Sequence, residues 1–147
     1  MSVDLLNWNI LHCLQENARQ SNAEIGRKVG ISSPAVSERI KKMEDLGIIS
    51  GYKTVVSPFD VGYQLKAIIT IRAFMGKLKP FLQKVKTYKE VLNCYRITGN
   101  ENIVMKVVLK DQKHLEKFID QLISYGETKT QIVLSNVIEN APLKKLK

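Results

Sequence analysis

Residues 22–52 read NAEIGRKVGISSPAVSERIKKMEDLGIISGY, and this pattern predicts two short helices joined by a tight turn. The first helix ends at Gly30, because glycine adopts the left-handed conformation without a steric penalty from Cβ. Ser32 or Ser33 can cap the second helix by accepting from its free N–H groups, and Pro34 suits the first turn. The segment is therefore predicted to be a helix-turn-helix.

The second helix of this motif has an apolar face and a polar side. The apolar face holds Val36, Ile40, Met43 and Gly47, with Leu46 beside it. The polar side holds Ser37, Glu38, Lys41 and Asp45, with Arg39 and Lys42 on its flanks. A helix of this kind suits the major groove of DNA, where its first residues touch base edges and its cations reach phosphates. The alternative is an amphipathic helical hairpin with a solvated polar side.

Composition favours a protein without a membrane span, a disulfide framework or a metal centre. The apolar runs of this 147-residue chain are too short for a membrane helix, so we expect a soluble cytoplasmic protein. Cys13 and Cys94 are too few for a zinc site and are expected to be reduced core residues. His12 and His114 share no metal-ligand spacing with them. We therefore expect no metal and no cofactor.

The net charge of +9 is unevenly distributed. Residues 1–63 hold seven Lys or Arg and seven Asp or Glu, whereas residues 64–147 hold sixteen and seven. Residues 25–53 contain six basic and three acidic residues. Phosphate neutralisation depends on local cations, so this local excess supports DNA binding although the N-terminal half is neutral.

The rest of the N-terminal half extends the motif to a three-helix domain. Residues 4–17 have a helical pattern that Asp4 can cap, and Ser21 or Asn22 can cap the helix that follows. Residues 51–56 are predicted to form a short strand, either as a wing or as the exit from the domain. Pro58 and Gly62 interrupt any regular element.

The C-terminal half alternates strand and helix patterns. Strands are predicted over residues 65–74, 91–98, 103–110 and 128–138, and helices over 78–88 and after Asp111, with Gly126 ending a turn. This order predicts a ferredoxin-like βαββαβ domain, an antiparallel sheet with two helices on one face. The fold class is α+β, with a winged helix-turn-helix domain at residues 1–51, a linker strand and hinge at 52–64, and the ferredoxin-like domain at 65–147.

The second face of the predicted sheet lacks a covering layer. It would carry Thr70, Tyr95, Ile97, Val104, Lys106, Val108 and Ile132. Because this set mixes apolar and polar groups, we expect the face to pack against a second copy of the chain.

With both halves placed, the sequence resembles the Lrp/AsnC family of bacterial and archaeal transcription regulators, also called feast/famine proteins. The resemblance runs almost end to end and rests on the order and spacing of several short matches. These are Asp4 with Ile10-Leu11, Asn17-Ala18-Arg19, Val29-Gly30-Ile31-Ser32, Val36 with Arg39-Ile40, residues 46–52, and Cys94-Tyr95-Arg96-Ile97-Thr98-Gly99.

The resemblance implies a regulator that binds double-stranded DNA through the helix-turn-helix and senses a small effector through the C-terminal domain. Family members form dimers through their sheets, often assemble into octamers, and bind amino acids or related molecules where dimers meet. We therefore expect an amino acid effector, a homodimer that can extend to an octamer, and no membrane partner.

Carried over by position, the DNA-reading helix is residues 33–46. The expected base-side residues are Ser33, Pro34, Ser37, Glu38 and Lys41, and the expected phosphate partners are Arg39 and Lys42. For Arg39 an internal salt bridge to Asp45 or Glu44 is the alternative.

The effector loop of the family carries over to Thr98, Gly99, Asn100, Glu101 and Asn102, with Gly126, Glu127 and Thr128 nearby. Glycine lets a backbone approach a ligand, and open amides can hold a carboxylate. A plain hairpin turn is the alternative.

Two positions depart from the family pattern. Asn7 stands where an acidic residue is usual, which we interpret as a surface change. Asn102 stands where the loop usually has Asp, and this removes a charge that could pair with a ligand ammonium.

Two other functions fit parts of the sequence. Lrp-like sirohaem decarboxylases share the architecture, but their chemistry needs cationic or imidazole groups that converge on the macrocycle, and His12 and His114 lie far apart in sequence. An architectural protein that wraps DNA around an octamer would use the basic C-terminal half. The leading interpretation is a DNA-binding regulator with no catalytic activity.

Overall fold

The computed structural model describes residues 3–147, so Met1 and Ser2 of the predicted first domain lie outside the described residues. The described chain divides into two compact units, residues 3–54 with 138–147 and residues 55–137. Residues 138–147 therefore group with the N-terminal unit, although the sequence places them in the C-terminal domain. The side chain of Gln15 contributes to this grouping, because it donates to the Leu143 carbonyl at 3.2 Å and accepts from the Leu143 N–H at 2.7 Å.

The N-terminal unit contains three helices, α1 Leu5–Glu16, α2 Asn22–Val29 and α3 Ser33–Asp45. Each begins with a side-chain cap, as the sequence predicts. The oxygen of Asp4 accepts from the Asn7 N–H at 2.7 Å, that of Ser21 from Glu24 at 3.1 Å, and that of Ser32 from Ala35 at 3.4 Å. Of the alternatives left open, Ser21 and Ser32 are thus the caps.

A small apolar core holds the three helices together. Ile10, Cys13, Ile25, Val36 and Met43 are buried in it. The predicted apolar face of α3 is confirmed for its buried members, whereas the side chain of Leu46 is 51% exposed. The half-buried Trp8 of α1 is the one tryptophan in the chain.

The turn between α2 and α3 is fixed by two glycines. Gly30 ends α2 with φ of 80°, the left-handed conformation that the sequence predicts. At Gly26 a Cβ would lie 2.5 Å from the carbonyl oxygen of Ile31. A side chain at residue 26 would therefore displace the turn that leads into α3.

The prediction of a strand over residues 51–56 is wrong for the single chain. Residues 50–57 have no regular secondary structure. A strand requires a backbone partner, and no ladder pairs with this segment in the part of the chain that the structure describes. The hydroxyl of Tyr52 instead donates to Glu44 Oε1 at 2.7 Å. Desolvation and this hydrogen bond raise the pKa of Tyr52 to about 12.

The C-terminal unit is a four-stranded sheet with two helices. Its elements are β1 Leu65–Ala73, α4 Leu78–Lys84, which continues as a 3-10 turn at Val85–Thr87, β2 Val91–Arg96, β3 Ile103–Leu109, α5 Gln112–Leu122 and β4 Gly126–Ile132. The strand order is β2-β3-β1-β4 and all neighbours are antiparallel. This confirms the predicted α+β class and the ferredoxin-like βαββαβ order.

The core of this unit lies between the sheet and the two helices. Strand residues such as Ile69 and Met105, which lie opposite each other, pack with Phe81 of α4 and Phe118 of α5. Ile132 lies opposite Ala67 and therefore belongs to this helix-covered side. The prediction that placed Ile132 on the other face is wrong, because the register of β4 was not known from the sequence.

The start of β4 differs from the prediction. The strand runs from Gly126 to Ile132 rather than over residues 128–138, and Gly126 is its first residue rather than the end of a turn. Gly126 is buried, and a Cβ there would lie 2.3 Å from the carbonyl oxygen of Arg72. This glycine is needed for the close approach of β4 to β1.

Candidate DNA-binding and effector sites

The candidate DNA-binding residues lie along α3. Ser33 is half-buried at the first position of the helix. Exposed side chains follow it at Pro34, Ser37, Glu38, Lys41 and Lys42. The polar side predicted for this helix is therefore accessible to a partner.

Arg39 is the exception, because its guanidinium is held inside the unit. Nη1 donates to Asp4 Oδ2 at 2.9 Å and to Asn7 Oδ1 at 3.0 Å. Arg39 therefore forms an internal salt bridge, but its acidic partner is Asp4, the cap of α1, rather than Asp45 or Glu44. A phosphate contact by Arg39 would compete with this pair. The sequence interpretation of Asn7 as a surface change missed its contact with α3.

Asp4 connects the start of α1 to the middle of α3. One carboxylate oxygen accepts from the Asn7 N–H and the other accepts from Arg39. The bond from the Asn7 backbone, followed by that from Arg39, lowers the pKa of Asp4 below its usual range. This carboxylate therefore orients the candidate reading helix while it caps α1.

The candidate effector residues meet at one end of the sheet in the C-terminal unit. The loop between β2 and β3 folds against the end of β1 through Asn102. The Asn102 N–H donates to the Ile71 carbonyl at 2.9 Å, its Oδ1 accepts from the Ala73 N–H at 2.7 Å, and its carbonyl accepts from the Ile97 N–H at 2.9 Å. Asn102 thus closes this end of the sheet, a role that its sequence context did not indicate.

The remaining effector candidates differ in accessibility. Thr98, Gly99, Asn100 and Glu127 are exposed, whereas Glu101 and Thr128 are half-buried. Gly99 has φ of 112°, a conformation that favours glycine. Gly126 lies opposite Ala73 and Thr128 lies opposite Ile71, so the structure places both segments beside the same end of β1.

An ion pair joins the two segments. Lys129 Nζ lies 3.1 Å from Glu101 Oε1, and this hydrogen bond lowers the pKa of the Glu101 carboxyl. Lys129 was not among the residues predicted from the sequence, since a pairing of positions 28 residues apart follows only from the strand register. The end of the sheet thus offers both a carboxylate and an ammonium group beside exposed loop amides.

Both histidines are engaged within their own units. His12 Nε2 lies 3.2 Å from Glu16 on α1. His114 Nδ1 accepts from the Lys110 N–H at 3.0 Å, so Nε2 carries the proton that it shares with the buried Glu90 at 3.0 Å. Cys13 is buried, and Cys94 is half-buried with its thiol pKa raised by desolvation.

Two family models match the chain. The AsnC-type helix-turn-helix domain matches residues 3–44, and the Lrp/AsnC ligand binding domain matches residues 66–143. The chain belongs to the Lrp/AsnC family of transcriptional regulators. In this Lrp/AsnC protein the first match covers α1, α2 and all but the last residue of α3. The second covers the sheet except Leu65, both of its helices and the candidate effector residues.

Relatives of this Lrp/AsnC chain cover almost its full length. The transcriptional regulator Ptr1 of Methanocaldococcus jannaschii is 33% identical over 136 residues, which cover 90% of this chain and 92% of the relative. The structure of Escherichia coli AsnC is 33% identical, with a TM-score of 0.84 and coverage of 95% and 97%.

A further solved structure includes an amino acid. It is a transcriptional regulator of Neisseria meningitidis in complex with L-methionine, which is 28% identical to this chain. Its TM-score is 0.92, and the match covers 97% of this chain and 96% of that protein. No helix within residues 3–147 of the present chain is long and apolar enough to cross a membrane.

The Asp4–Arg39 pair predicts a pH-dependent contribution to the stability of the N-terminal unit. Asp4→Asn keeps an oxygen that can cap α1 but removes the charge, so we expect a small loss of stability at pH 7. Because the folded pKa of Asp4 is lowered, the ionised form stabilises the fold above the usual range of this carboxyl. That stability is lost as the pH falls through the lowered pKa.

The measurement is thermal unfolding by circular dichroism at pH 7 and in steps down to about pH 2. The difference in melting temperature between the wild type and Asp4→Asn should disappear in acid. Asp45→Asn removes an equal charge from an exposed position and serves as the control. A difference in melting temperature that stays constant with pH would show that the ion pair contributes no charge-dependent stability.

Proposed function

We propose that this Lrp/AsnC protein binds specific double-stranded DNA sites through α3 and that an amino acid or a related small molecule modulates this binding. The observation that supports the first part is the arrangement of α3. Its apolar residues are buried in a three-helix core, while Ser37, Glu38, Lys41 and Lys42 remain exposed on one capped helix. Small polar side chains can reach base edges and lysines can reach phosphates.

Replacing the lysines of α3 should weaken DNA binding through lost phosphate contacts. For Lys41→Gln/Lys42→Gln we expect about tenfold weaker binding or more near physiological salt, and a salt slope smaller in magnitude by about two. The probes are genomic DNA fragments that the wild-type protein selects. Ser37→Ala should instead change which fragments are selected.

The matched control is Lys144→Gln/Lys145→Gln, which removes the same charge from exposed positions of the same unit. It should leave the affinity for the selected fragments within about twofold. Equal weakening by both double variants would refute a specific contact by α3 and would attribute binding to overall charge.

An effector site at the end of the sheet has support from this chain and from a relative. The exposed loop at residues 98–100 offers open amides for a carboxylate, and Glu101 offers a negative charge for an ammonium group. The related Neisseria protein binds L-methionine. Asn102 stands where the family loop usually has Asp. The adjacent Glu101 supplies a carboxylate that can pair with a ligand ammonium group in its place.

A thermal-shift screen against the twenty amino acids tests this site. A ligand that binds only the folded state stabilises it by about 2.7 kcal/mol at one hundred times its Kd. Glu101→Gln should abolish the shift that the wild type shows, because it removes the carboxylate. Lys129→Gln breaks the same ion pair but leaves the carboxylate available, so it should retain the shift.

The two variants separate ligand binding from a structural role of the ion pair. Without ligand both should unfold close to the wild-type temperature, since the Lys129 side chain is largely exposed and such pairs contribute little. Loss of the shift in both variants would assign the pair a structural role. No shift with any amino acid would refute the amino acid effector, whereas DNA selection would test α3 separately.

Dimerisation through the uncovered face of the sheet is part of this proposal. With Ile132 excluded, the predicted members that remain on this face are Thr70, Tyr95, Ile97, Val104, Lys106 and Val108. Tyr95, on the edge strand β2, is 57% exposed. Ile97 is also exposed, whereas Val108 is buried within the chain. A second copy of the chain would cover the exposed apolar groups of this mixed face.

Tyr95→Glu should shift the protein towards monomer, because it would bury two carboxylates in a symmetric interface. The molar mass in solution, measured by light scattering over a range of concentrations, reports this change. Ile123→Glu places the same charge at an exposed apolar residue at the end of α5 and should leave the mass unchanged. Equal masses for wild type and Tyr95→Glu would place the interface elsewhere.

A further inference from the structure

A cluster of lysines lies on and beside α4 in the C-terminal unit. Residues 77–89 read KLKPFLQKVKTYK and contain five lysines and no acidic residue. All five side chains are exposed, and we refer to them as the α4 lysine face: Lys77, Lys79, Lys84, Lys86 and Lys89. None of them was assigned a role in the two candidate sites.

The positive charge of the C-terminal unit is concentrated on this face. Residues 55–137 contain thirteen Lys or Arg and seven Asp or Glu. Outside residues 77–89 the unit has eight basic and seven acidic residues, so it is almost neutral elsewhere. The α4 lysine face is therefore a local patch rather than a sample of a uniformly basic surface.

The described residues supply no ion-pair partner for these lysines. Over residues 3–147, none of the five ammonium groups forms an ion pair, whereas Arg39 and Lys129 each contact a carboxylate. Lys84 Nζ lies 5.7 Å from the centre of the Tyr88 ring, an aromatic contact that keeps its charge accessible.

The local structure also gives no folding reason for this charge. Lys77 and Lys79 lie at the first turn of α4, where cations are unfavourable for a helix. Phe81 and Val85 anchor the segment in the core, and the lysines flank this buried stripe. Residues that destabilise a helix and do not contribute to the core indicate a functional role rather than a structural one.

We propose that the α4 lysine face is a second DNA-contacting surface, which binds phosphates without reading sequence. The inference rests on the proposed DNA-binding function, because it names a further contact for the same partner. The five exposed ammonium groups are spread on and beside α4 and the turn that follows it, so they can pair with successive phosphates of an extended polyanion. Lysine acts as a point charge, so it suits phosphate neutralisation better than base recognition.

Neutralising part of this face should weaken sequence-independent DNA binding by the full-length protein. The test variant is Lys77→Gln/Lys79→Gln/Lys86→Gln, which spares the lysine in contact with Tyr88. The probe is a duplex of about 60 base pairs of random sequence, titrated between about 50 and 200 mM salt. We expect a slope smaller in magnitude by two to three (about 0.9 for each phosphate contact) and binding weaker by about tenfold or more.

The control removes the same charge from positions on and just before the other helix of the same unit, α5. Lys110→Gln/Lys113→Gln/Lys117→Gln neutralises three exposed lysines that alternate with Asp111, Glu116 and Asp120. This variant should change the slope by less than about one. If both triple variants weaken binding equally, or if neither does, the proposed surface is refuted.

A direct map of lysine reactivity provides a second readout. The wild-type protein is acetylated with a small amine-reactive reagent, with and without the random duplex, and the modified lysines are identified by mass spectrometry. Lysines 77 to 89 should be protected severalfold more than Lys113 and Lys117. Equal protection of the two helices would overturn the assignment.

The outcome is separable from that for α3. If the α3 double variant loses selection of genomic fragments while the α4 variant keeps it but shows the smaller salt slope, both proposals stand. If α3 proves irrelevant, the smaller salt slope of the α4 variant alone still supports this surface. Co-sedimentation with phosphatidylserine vesicles, without protection by DNA, would assign the face to an anionic membrane and refute the proposal.

Discussion

Backbone N–H groups at the ends of helices and strands have no hydrogen-bond partner within their own element. Both units satisfy these groups with side-chain oxygens. Asp4, Ser21 and Ser32 supply oxygens at the starts of the three N-terminal helices, and Asp111 does so for α5. Asn102 supplies the equivalent oxygen at the end of β1. In two cases the same residue also fixes a candidate site: Asp4 holds α3 through Arg39, and Asn102 holds the effector loop against the sheet.

The parts of the fold that depend on local spacing were predictable from the sequence. A cap and the N–H group that it satisfies are three residues apart, so Asp4 and Asp111 could be recognised directly. The order of strands and helices followed from apolar periodicity in the same way. The helix-turn-helix and the family resemblance both rest on such short-range patterns.

The failures concern contacts between residues that are distant in sequence. Ile132 was placed on the wrong face because its side depends on pairing with Ala67, and a shift of one residue reverses the faces of a strand. Arg39 was expected to contact phosphate, with a salt bridge to an acidic residue of its own helix as the alternative, whereas it pairs with Asp4, which is 35 residues away. The segment at residues 51–56 has the composition of a strand but lacks the neighbour that a strand requires. The positions of the candidate site residues were thus more predictable than their contacts.

The two units carry their charge in different ways. In the N-terminal unit Arg39 is committed to Asp4, which leaves the exposed lysines of α3 for a partner. In the C-terminal unit Lys129 is paired with Glu101, while the lysines of α4 have no acidic neighbour within their segment. The ion pairs within the fold therefore determine which basic side chains remain available to bind a partner. Net charge alone does not distinguish paired from unpaired basic residues.

Trp8 on α1 provides an intrinsic fluorescence probe. Because Trp8 is the only tryptophan and is half-buried in the N-terminal unit, its fluorescence follows the environment of that unit alone. The aromatic residues of the C-terminal unit are phenylalanine and tyrosine, including the Tyr88 and Phe118 rings in edge-to-face contact. Selective excitation of the indole thus distinguishes melting of the N-terminal unit from melting of the C-terminal unit, without any label.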